Sequence, residues 1–278
     1  MSKSNIQGTE HRSHQGTEHR SHQGTEHRSL QGTEHRSLQG TEHRSLQGTE
    51  HRSVPCRESS LHRSLKFRYS GSGGETETLA GSYVCDGRTS EGELIEVQTG
   101  SFGPLKEKVK KLTKTGKLRI IHPIIVQKYI ELYDVKGRLL HRRKSPRKGS
   151  SWDLFNALIY GPELPLLKNL SIELALIDII EKRIDDGKGS WRRKGVSISD
   201  HILSAYHNSI VLKSLRDYRQ FVPYTKKELF TVRDFGKKAG VNPTLARKVL
   251  YTLTKMGIIE QAGKQGRANI YKRMKKEK

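Results

Sequence analysis

The stretch GELIEVQTGSFGPLKEKVKKLTKTGKLRIIHPII, residues 92–125, predicts a strand, a helix and a second strand. Residues 94–98 alternate apolar and polar side chains, as in a strand with one face in the core. Pro104 suits the first turn of the helix that follows, and Gly116 suits its end. The run 118–125 is short, rich in β-branched residues and almost wholly apolar, which is typical of a strand buried on both faces.

Two further elements precede this stretch. Residues 58–70 have apolar side chains at helical spacing, and the glycines of residues 71–74 break that helix. Residues 79–86 favour a strand that pairs with residues 94–98 as a hairpin. The order helix, strand, strand, helix, strand predicts a single sheet flanked by helices, so the fold class is α+β or α/β.

The segments after residue 125 predict more strands and then a separate C-terminal unit. Residues 127–134 and 138–143 favour two further strands of the sheet. Residues 207–222 favour a helix, Thr231 caps a second helix, and Asn242 is the N-cap of a third. A hairpin at the end of the chain completes the order helix, helix, hairpin. This order resembles a winged helix-turn-helix domain, whose second helix enters the DNA major groove in its usual docking.

The front of the chain is an octapeptide repeat, HRS(H/L/V)QGTE, that runs from His11 to Val54. One apolar residue in eight cannot build a packed core, and a glycine in each unit opposes helix. The histidine pairs of the first units have metal-like spacing, but the later units lose the second histidine. Disorder therefore explains this segment better than a metal site does.

These patterns divide the chain into four segments. Residues 1–57 are expected to be disordered, and residues 58–183 to form the mixed sheet flanked by helices. Residues 184–207 are basic and contain the glycines of a linker, and residues 208–278 are the winged-helix candidate.

The chain is strongly basic, with a net charge of +23. The first 54 residues hold seven Lys/Arg and six Asp/Glu, so nearly all of the excess lies beyond them. Such a field attracts polyanions, most commonly nucleic acid, although simple solubility or an acidic membrane surface also fits. The sequence contains neither a membrane-spanning run nor a signal peptide, and two cysteines make no disulfide framework. A cytoplasmic DNA-binding protein without a membrane partner is expected.

The hairpin carries polar side chains with a possible chemical role. Glu96 and Gln98 are two residues apart, so they share a face, and Asp86 lies near the end of the preceding strand. Glu77 could approach them as well. Carboxylates that converge at a sheet rim suit Mg²⁺ or Mn²⁺, which can activate water and neutralise a phosphodiester during displacement. Surface salt bridges with the Lys-rich helix are the alternative interpretation.

The pattern Asp86, then Glu96-Val97-Gln98, resembles the PD-(D/E)XK nuclease-like core, with its restriction-endonuclease-like sheet. The resemblance implies that Asp86 and Glu96 bind the metal and that Glu77 is an additional acid. The third motif position is normally lysine, and here it is Gln98, which can orient water. Lys108 or Lys106, on the next helix, could supply the missing charge. The chain also resembles an uncharacterised prokaryotic family that joins this core to a winged helix.

Basic and polar residues of three segments are expected to contact DNA. Trp191 could stack on a base or anchor the segment against the protein surface. The expected contacts are Arg142, Arg143, Lys144, Arg147, Lys148, Arg192, Arg193, Lys194, Thr244, Arg247, Lys248, Tyr251, Lys264, Gln265 and Arg267.

The favoured hypothesis is a DNA-binding protein that acts as a Mg²⁺- or Mn²⁺-dependent endonuclease, with Asp86, Glu96, Gln98 and Lys108 as its catalytic residues. A catalytically inactive DNA-binding regulator is the first alternative. An adaptor whose winged helix binds protein is the second. The sequence leaves the oligomeric state open, and a dimer is possible.

Overall fold

The computed structural model of the chain describes residues 58–71 and 73–274. The octapeptide repeat and its predicted disorder lie outside the described residues. None of the described helices is long and apolar enough to cross a membrane.

The described residues alternate between helices and strands. The helices are α1 (Ser60–Ser70), α2 (Lys106–Thr115), α3 (Leu154–Leu158), α4 (Leu215–Tyr218), α5 (Val232–Ala239) and α6 (Pro243–Lys255). The strands are β1 (Glu75–Ala80), β2 (Tyr83–Arg88), β3 (Leu94–Val97), β4 (Leu118–Tyr133), β5 (Leu139–Lys144), β6 (Leu170–Asp185), β7 (Val196–Leu212), β8 (Leu229–Thr231), β9 (Ile259–Gln265) and β10 (Ala268–Arg273).

Seven of these strands form one mixed sheet in the order β1-β2-β3-β4-β6-β7, with β5 paired to the second half of β4. Strand β4 is parallel to both β3 and β6, and α2 makes the connection from β3 to β4. The other neighbours are antiparallel. The prediction of a mixed sheet flanked by helices is therefore confirmed.

Helices α1 and α2 cover opposite faces of this sheet. Ile95 and Val97 of β3 lie in one apolar cluster with Leu65 of α1. Leu94 lies in a second cluster, which also contains Val109 of α2. Both faces of β3 are therefore buried, as predicted for Ile95 and Val97, and Glu96 is buried together with them.

The strand predicted over residues 79–86 is wrong in its extent. The structure has two antiparallel strands there, and Ala80 pairs with Tyr83 across a two-residue turn. Gly81, in this turn, has φ +61°, a conformation that glycine adopts without steric cost. Gly81-Ser82 is a hairpin-turn signal that the predicted strand passed over.

The strands of the sheet are also longer than predicted. Strand β4 is continuous through both of the runs predicted as separate strands, with an irregularity between Ile125 and Gln127. Residues 184–207 were predicted to be a linker, but they form the end of β6, the following turn and most of β7. Pairing with β6, as in Ile180 opposite Ile202, stabilises this extended conformation. A single-sequence pattern does not contain that long-range pairing.

The predicted helix over residues 207–222 is wrong in its first half. Residues up to Leu212 complete β7, where Ile210 pairs with Leu174 of β6. Only the four residues of α4 and a single 3-10 turn after them are helical. The adjacent β-branched residues Ile210 and Val211 favour a strand over a helix.

The C-terminal part has the predicted order helix, helix, hairpin. Asn242 caps α6 by accepting a hydrogen bond from the Leu245 amide, Pro243 is its first residue, and Gly257 follows its end with φ +68°. These three predictions are confirmed. Strands β8, β10 and β9 form a small sheet beside the helices. A single apolar cluster continues from the large sheet through Phe155 to Leu250 of α6.

Candidate functional site

The site lies where strands β2 and β3 part. In the described chain their ladder consists of two pairs, Arg88 with Leu94 and Gly87 with Ile95. Each strand carries a carboxylate next to the pair Gly87–Ile95, Asp86 just before Gly87 on β2 and Glu96 just after Ile95 on β3. The Val97 amide donates a 2.7 Å hydrogen bond to Asp86 Oδ2. A side chain thus bridges the two strands just beyond their ladder.

Glu96 is a buried carboxylate, with 9% of its side chain exposed. Lys108 Nζ of α2 lies 2.5 Å from Glu96 Oε2 and donates a second hydrogen bond to the Val84 carbonyl at 2.7 Å. Burial raises the pKa of Glu96, and the nearby charge of Asp86 raises it further, against the opposing effect of Lys108. Ionised Glu96 therefore depends on a cation beside it.

Asp86 is held in its ionised form. Burial opposes ionisation, but hydrogen bonds from His62 and the Val97 amide outweigh it and lower the pKa of Asp86. His62 Nε2 lies 3.3 Å from Asp86 Oδ2, and Lys66 Nζ lies 3.7 Å from Oδ1. The two carboxylates thus have separate cationic neighbours, from α1 for Asp86 and from α2 for Glu96.

Helix α1 contributes residues that the sequence analysis misses. His62 donates to the Val97 carbonyl at 3.0 Å and contacts Glu58 at 2.6 Å through its other ring nitrogen. Lys66 lies 3.2 Å from Glu58. The four-residue spacing of Glu58, His62 and Lys66 was the available signal, because it aligns them on one helix face.

Glu77 and Gln98 are engaged elsewhere. Glu77 has φ +55° and a side chain that is 69% exposed, and it pairs with Lys66 at 3.0 Å. Gln98 Nε2 donates to the Ser101 carbonyl at 2.6 Å, within the loop before α2, and the Gln98 carbonyl lies 2.6 Å from His122 Nδ1. Among the described residues, no group of three or more His, Cys, Asp or Glu side chains is arranged to bind a metal ion. The site therefore centres on Asp86 and Glu96.

The environment of His62 predicts a pH-dependent stability. Its hydrogen bonds to Asp86 and Glu58 outweigh burial and raise its pKa from 6.5 to about 9. A group whose pKa is raised by folding stabilises the fold below its unfolded pKa, and this contribution is lost as the pH rises through the folded value. We expect wild type to lose about 2 kcal/mol between pH 6.5 and 9 relative to His62→Gln. Urea unfolding of both proteins across this range measures the difference, and parallel pH profiles would contradict the expectation.

The basic loop after β5 lies beside α6. Arg147 and Lys148 line a cleft of about 630 Å³ together with Asn242 and Thr244, at the start of α6. Lys248 Nζ bonds Asn156 Oδ1, also in this cleft, at 2.8 Å. Two segments predicted separately to contact DNA therefore meet in one place.

A second groove lies between α5, α6 and β10. Arg247 of α6 and Arg267 of the hairpin line it, together with Arg233 and Lys237. Tyr251, Lys264 and Gln265 are exposed. The helix and the hairpin tip that were predicted to contact DNA thus border a common surface.

The other predicted contacts lie farther along the large sheet. Arg142, Arg143 and Lys144 belong to β5, and Arg192, Arg193 and Lys194 to the turn between β6 and β7. The strand predicted over residues 138–143 contains Arg142 and Arg143, and pairing of β5 with β4 extends it through Lys144. Trp191 is exposed, so it does not anchor this turn. Trp152, in contrast, packs against Phe221 and Phe235, as expected for a residue of the core.

Comparison with known proteins places these features in a family. The family model described as a domain of unknown function, DUF8091, matches residues 59–213, from the start of α1 to just beyond β7. A protein of Treponema pallidum (strain Nichols), described as an uncharacterized protein, is 29% identical over 219 residues, which cover 78% of this chain and 86% of the relative. No solved structure matches the chain. The family model covers more than half of the chain, including Asp86, Glu96 and Lys108, so the chain belongs to the DUF8091 family.

Proposed function

We propose that the protein binds DNA and hydrolyses its phosphodiesters with a divalent metal ion. The observation that carries the proposal is the placement of Asp86 and Glu96 next to the end of the β2–β3 ladder, where the charge of Asp86 raises the pKa of Glu96 and the amine of Lys108 lies against Glu96. The buried carboxylate of Glu96 has a raised pKa, a state that enzymes use more often than structural surfaces do. The resemblance to the PD-(D/E)XK core supports the same assignment.

The donor set at this site fits Mg²⁺ or Mn²⁺. The two carboxylates are hard oxygen ligands, and Mg²⁺ commonly binds one or two carboxylates and keeps several waters. Asp86 and Glu96 would hold the ion, and the ion would lower the pKa of a bound water and neutralise phosphate charge. Glu77, which points to Lys66, is not needed as a ligand.

Lys108 occupies the role that the motif lysine would have. Its amine reaches the site from α2 and lies 2.5 Å from Glu96. A lysine in that position places positive charge beside a phosphodiester that accumulates negative charge during displacement. Lys106 pairs instead with Glu163 at 3.3 Å, so Lys108 is the better candidate. Gln98 would then support the loop before α2 through its bond to Ser101.

The basic cleft gives DNA a route towards this site. Asp153 lines the cleft and acts electrostatically on buried His122, which in turn bonds the carbonyl of Gln98. A duplex bound by α6 and the hairpin as in a winged helix, with its backbone along Arg147 and Lys148, would approach the end of β3.

A plasmid-nicking assay tests the proposal. Purified full-length protein is incubated with supercoiled plasmid in Mg²⁺, in Mn²⁺ and in EDTA. The proposal expects nicked or linear product with metal and none with EDTA. If no DNA is cut under any of these conditions, and neither metal raises the melting temperature of the protein, the enzymatic part of the proposal fails.

The DNA path makes a separate prediction about salt dependence. Replacing Arg147 and Lys148 together by alanine should weaken duplex binding uniformly across sequences. The logarithm of the association constant decreases linearly with the logarithm of the salt concentration. The magnitude of this slope should fall by roughly 2, because each lost phosphate contact removes about one unit. Fluorescence anisotropy with a labelled duplex measures the slope. The matched control is the pair Lys226→Ala and Lys227→Ala, outside this cleft, and an equal change in both double variants would contradict the proposed path.

A DNA-binding protein without catalysis is the second candidate. The observation that favours it is the ion pairing within the site, since Lys108 neutralises Glu96, and His62 and Lys66 neutralise Asp86. In that case the two carboxylates are structural, and their cations are side chains of the protein. The nicking assay distinguishes the two candidates, because both expect DNA binding and only the first expects product.

A further inference from the structure

Trp191 is presented to solvent at the tip of the β6–β7 hairpin. It begins a single 3-10 turn, and 83% of its surface is exposed. Large aromatic side chains usually bury 150–250 Å² each in cores and interfaces, so an exposed tryptophan leaves an unused contact surface. Trp152, in contrast, is partly buried and packs against the core.

The turn that presents Trp191 is tightly built. The Gly189 amide donates to the Gly195 carbonyl at 2.6 Å, and the Lys194 amide donates to the Trp191 carbonyl at 3.0 Å. A Cβ on Gly189 would lie 1.8 Å from the Val196 carbonyl oxygen, so only glycine permits this close approach of the two arms. The backbone beneath Trp191 is thereby fixed, which reduces the entropy lost when the ring binds a partner.

The turn that carries the ring is basic. The Arg192 guanidinium lies 5.5 Å from the centre of the Trp191 ring, and Lys194 follows in the same turn. The acids of the turn are Asp185 and Asp186, and Asp186 is occupied by hydrogen bonds from the Ser197 hydroxyl and the Lys188 amide. A partner at this tip therefore needs a flat face to stack on Trp191 and negative charge near the ring.

A second basic tip lies beside the first. Tyr133, the last residue of β4, is paired with Ile184, the last residue but one of β6, so the β4–β5 and β6–β7 turns leave the same end of the sheet. The β4–β5 turn adds Lys136 and Arg138, of which Arg138 is paired with Asp134. The basic surface therefore extends beyond the hairpin that carries Trp191.

We propose that Trp191 stacks on an unpaired base of a DNA strand whose phosphates are bound by Arg192 and Lys194. The proposal rests on the proposed DNA binding and adds a substrate class, DNA that contains a single-stranded segment. Aromatic stacking platforms beside cations are how proteins bind single strands without sequence preference. Strand β4 runs from Ile121, beside Val97, to Tyr133, a span of about 40 Å at 3.3 Å per residue. The unpaired segment would thus contact the protein far from the Asp86/Glu96 site.

Binding to matched oligonucleotides tests this proposal. Fluorescence anisotropy is measured in EDTA with oligothymidylate of about 16 nucleotides, with oligouridylate and with a duplex. Trp191→Ala should bind the single strands about tenfold more weakly and the duplex unchanged, and Trp191→Phe should recover most of the loss. Tyr160→Ala, which removes another exposed aromatic ring, is the matched control and should bind like wild type. Oligothymidylate should also quench the fluorescence of Trp191, and this quenching should be missing in Trp191→Ala.

The possible results distinguish failure of the stacking proposal from failure of the proposed nuclease activity. Equal binding of single strands by wild type and Trp191→Ala overturns the stacking proposal, even if plasmid is still cut. If Trp191→Ala weakens the binding of oligouridylate more than that of oligothymidylate, the tip binds RNA, and the proposal for DNA is also overturned. Quenching by anionic phospholipid vesicles without quenching by oligothymidylate would assign the tip to a membrane surface. If Glu96→Gln no longer cleaves DNA but still binds single strands, the stacking proposal is supported independently of the nuclease activity.

Discussion

Replacing Glu96 by glutamine is expected to lower metal-dependent DNA cleavage by at least about 100-fold while duplex binding stays within about twofold of wild type. Glutamine preserves the shape of the side chain, so the packing of β3 between α1 and α2 is retained. The substitution removes the negative charge that a divalent cation requires, and it leaves Lys108 without its ion-pair partner. Asp86→Asn should have a comparable effect, because Asp86 provides the other carboxylate at the parting of β2 and β3.

The comparison needs a control that changes charge but not the site. Glu107→Gln removes an exposed carboxylate on α2 that pairs only with Lys110 among the described residues, and it should cut like wild type. Initial rates of plasmid nicking and duplex anisotropy are measured for all variants at equal metal concentration. If Glu96→Gln and Asp86→Asn retain wild-type rates in a preparation that cleaves DNA, the cleavage arises elsewhere and the proposed site is wrong.

The parts of the structure that were predictable from sequence are those determined by local contacts. Strand β3, helix α2 and the capped helix α6 follow from alternation, from Pro104 and Gly116, and from the Asn242–Pro243 pair. In each case the residues that determine the element lie within or beside it. The placement of Asp86 and Glu96 on neighbouring strands was predictable for the same reason, since one short connection joins β2 and β3.

The remaining features depend on contacts between distant residues. His62 reaches the carbonyl of Val97, 35 positions later, and Tyr69 bonds Glu173, 104 positions later. The extended conformation of β7 depends on its ladder with β6, so a local pattern mistook its first half for a linker and its last residues for helix. The exposure of Trp191 likewise depends on where two long strands end.

The family match covers the part of the chain that contains the proposed site. It covers residues 59–213, which contain the seven-stranded sheet, Asp86, Glu96 and Lys108, and also Trp191. Helices α5 and α6 lie beyond it. The sheet with its acidic site and its basic hairpin tip is therefore the unit that the family model describes, and the DNA contacts proposed for α6 and the β9–β10 hairpin are additions to that unit.

Replacing Lys108 by methionine is expected to destabilise the protein at neutral pH by about 3 kcal/mol, whether or not it is an enzyme. Methionine keeps the length and apolar stem of the side chain but leaves the Glu96 carboxylate buried without its cation. Breaking a buried pair on one side is costly because the remaining charge is uncompensated, whereas removing both charges is much less costly. The double variant Lys108→Met, Glu96→Gln should therefore recover most of the lost stability. Lys110→Met, which breaks an exposed pair with Glu107, should cost no more than about 0.5 kcal/mol.

The pH dependence of Lys108→Met identifies Glu96 as the cause. Folding raises the pKa of Glu96, so the folded state binds more protons than the unfolded state at pH values between the two pKa values. Stability from this group consequently falls as the pH rises above the unfolded value, and loss of Lys108 should deepen the fall. Urea unfolding at several pH values should show that Lys108→Met recovers stability on acidification, relative to the double variant. The expectation is contradicted if the stability lost in Lys108→Met is independent of pH, or if adding Glu96→Gln does not restore it. Lys108 would then stabilise the protein through its hydrogen bond to the Val84 carbonyl and the packing of its stem, and not through the charge of Glu96.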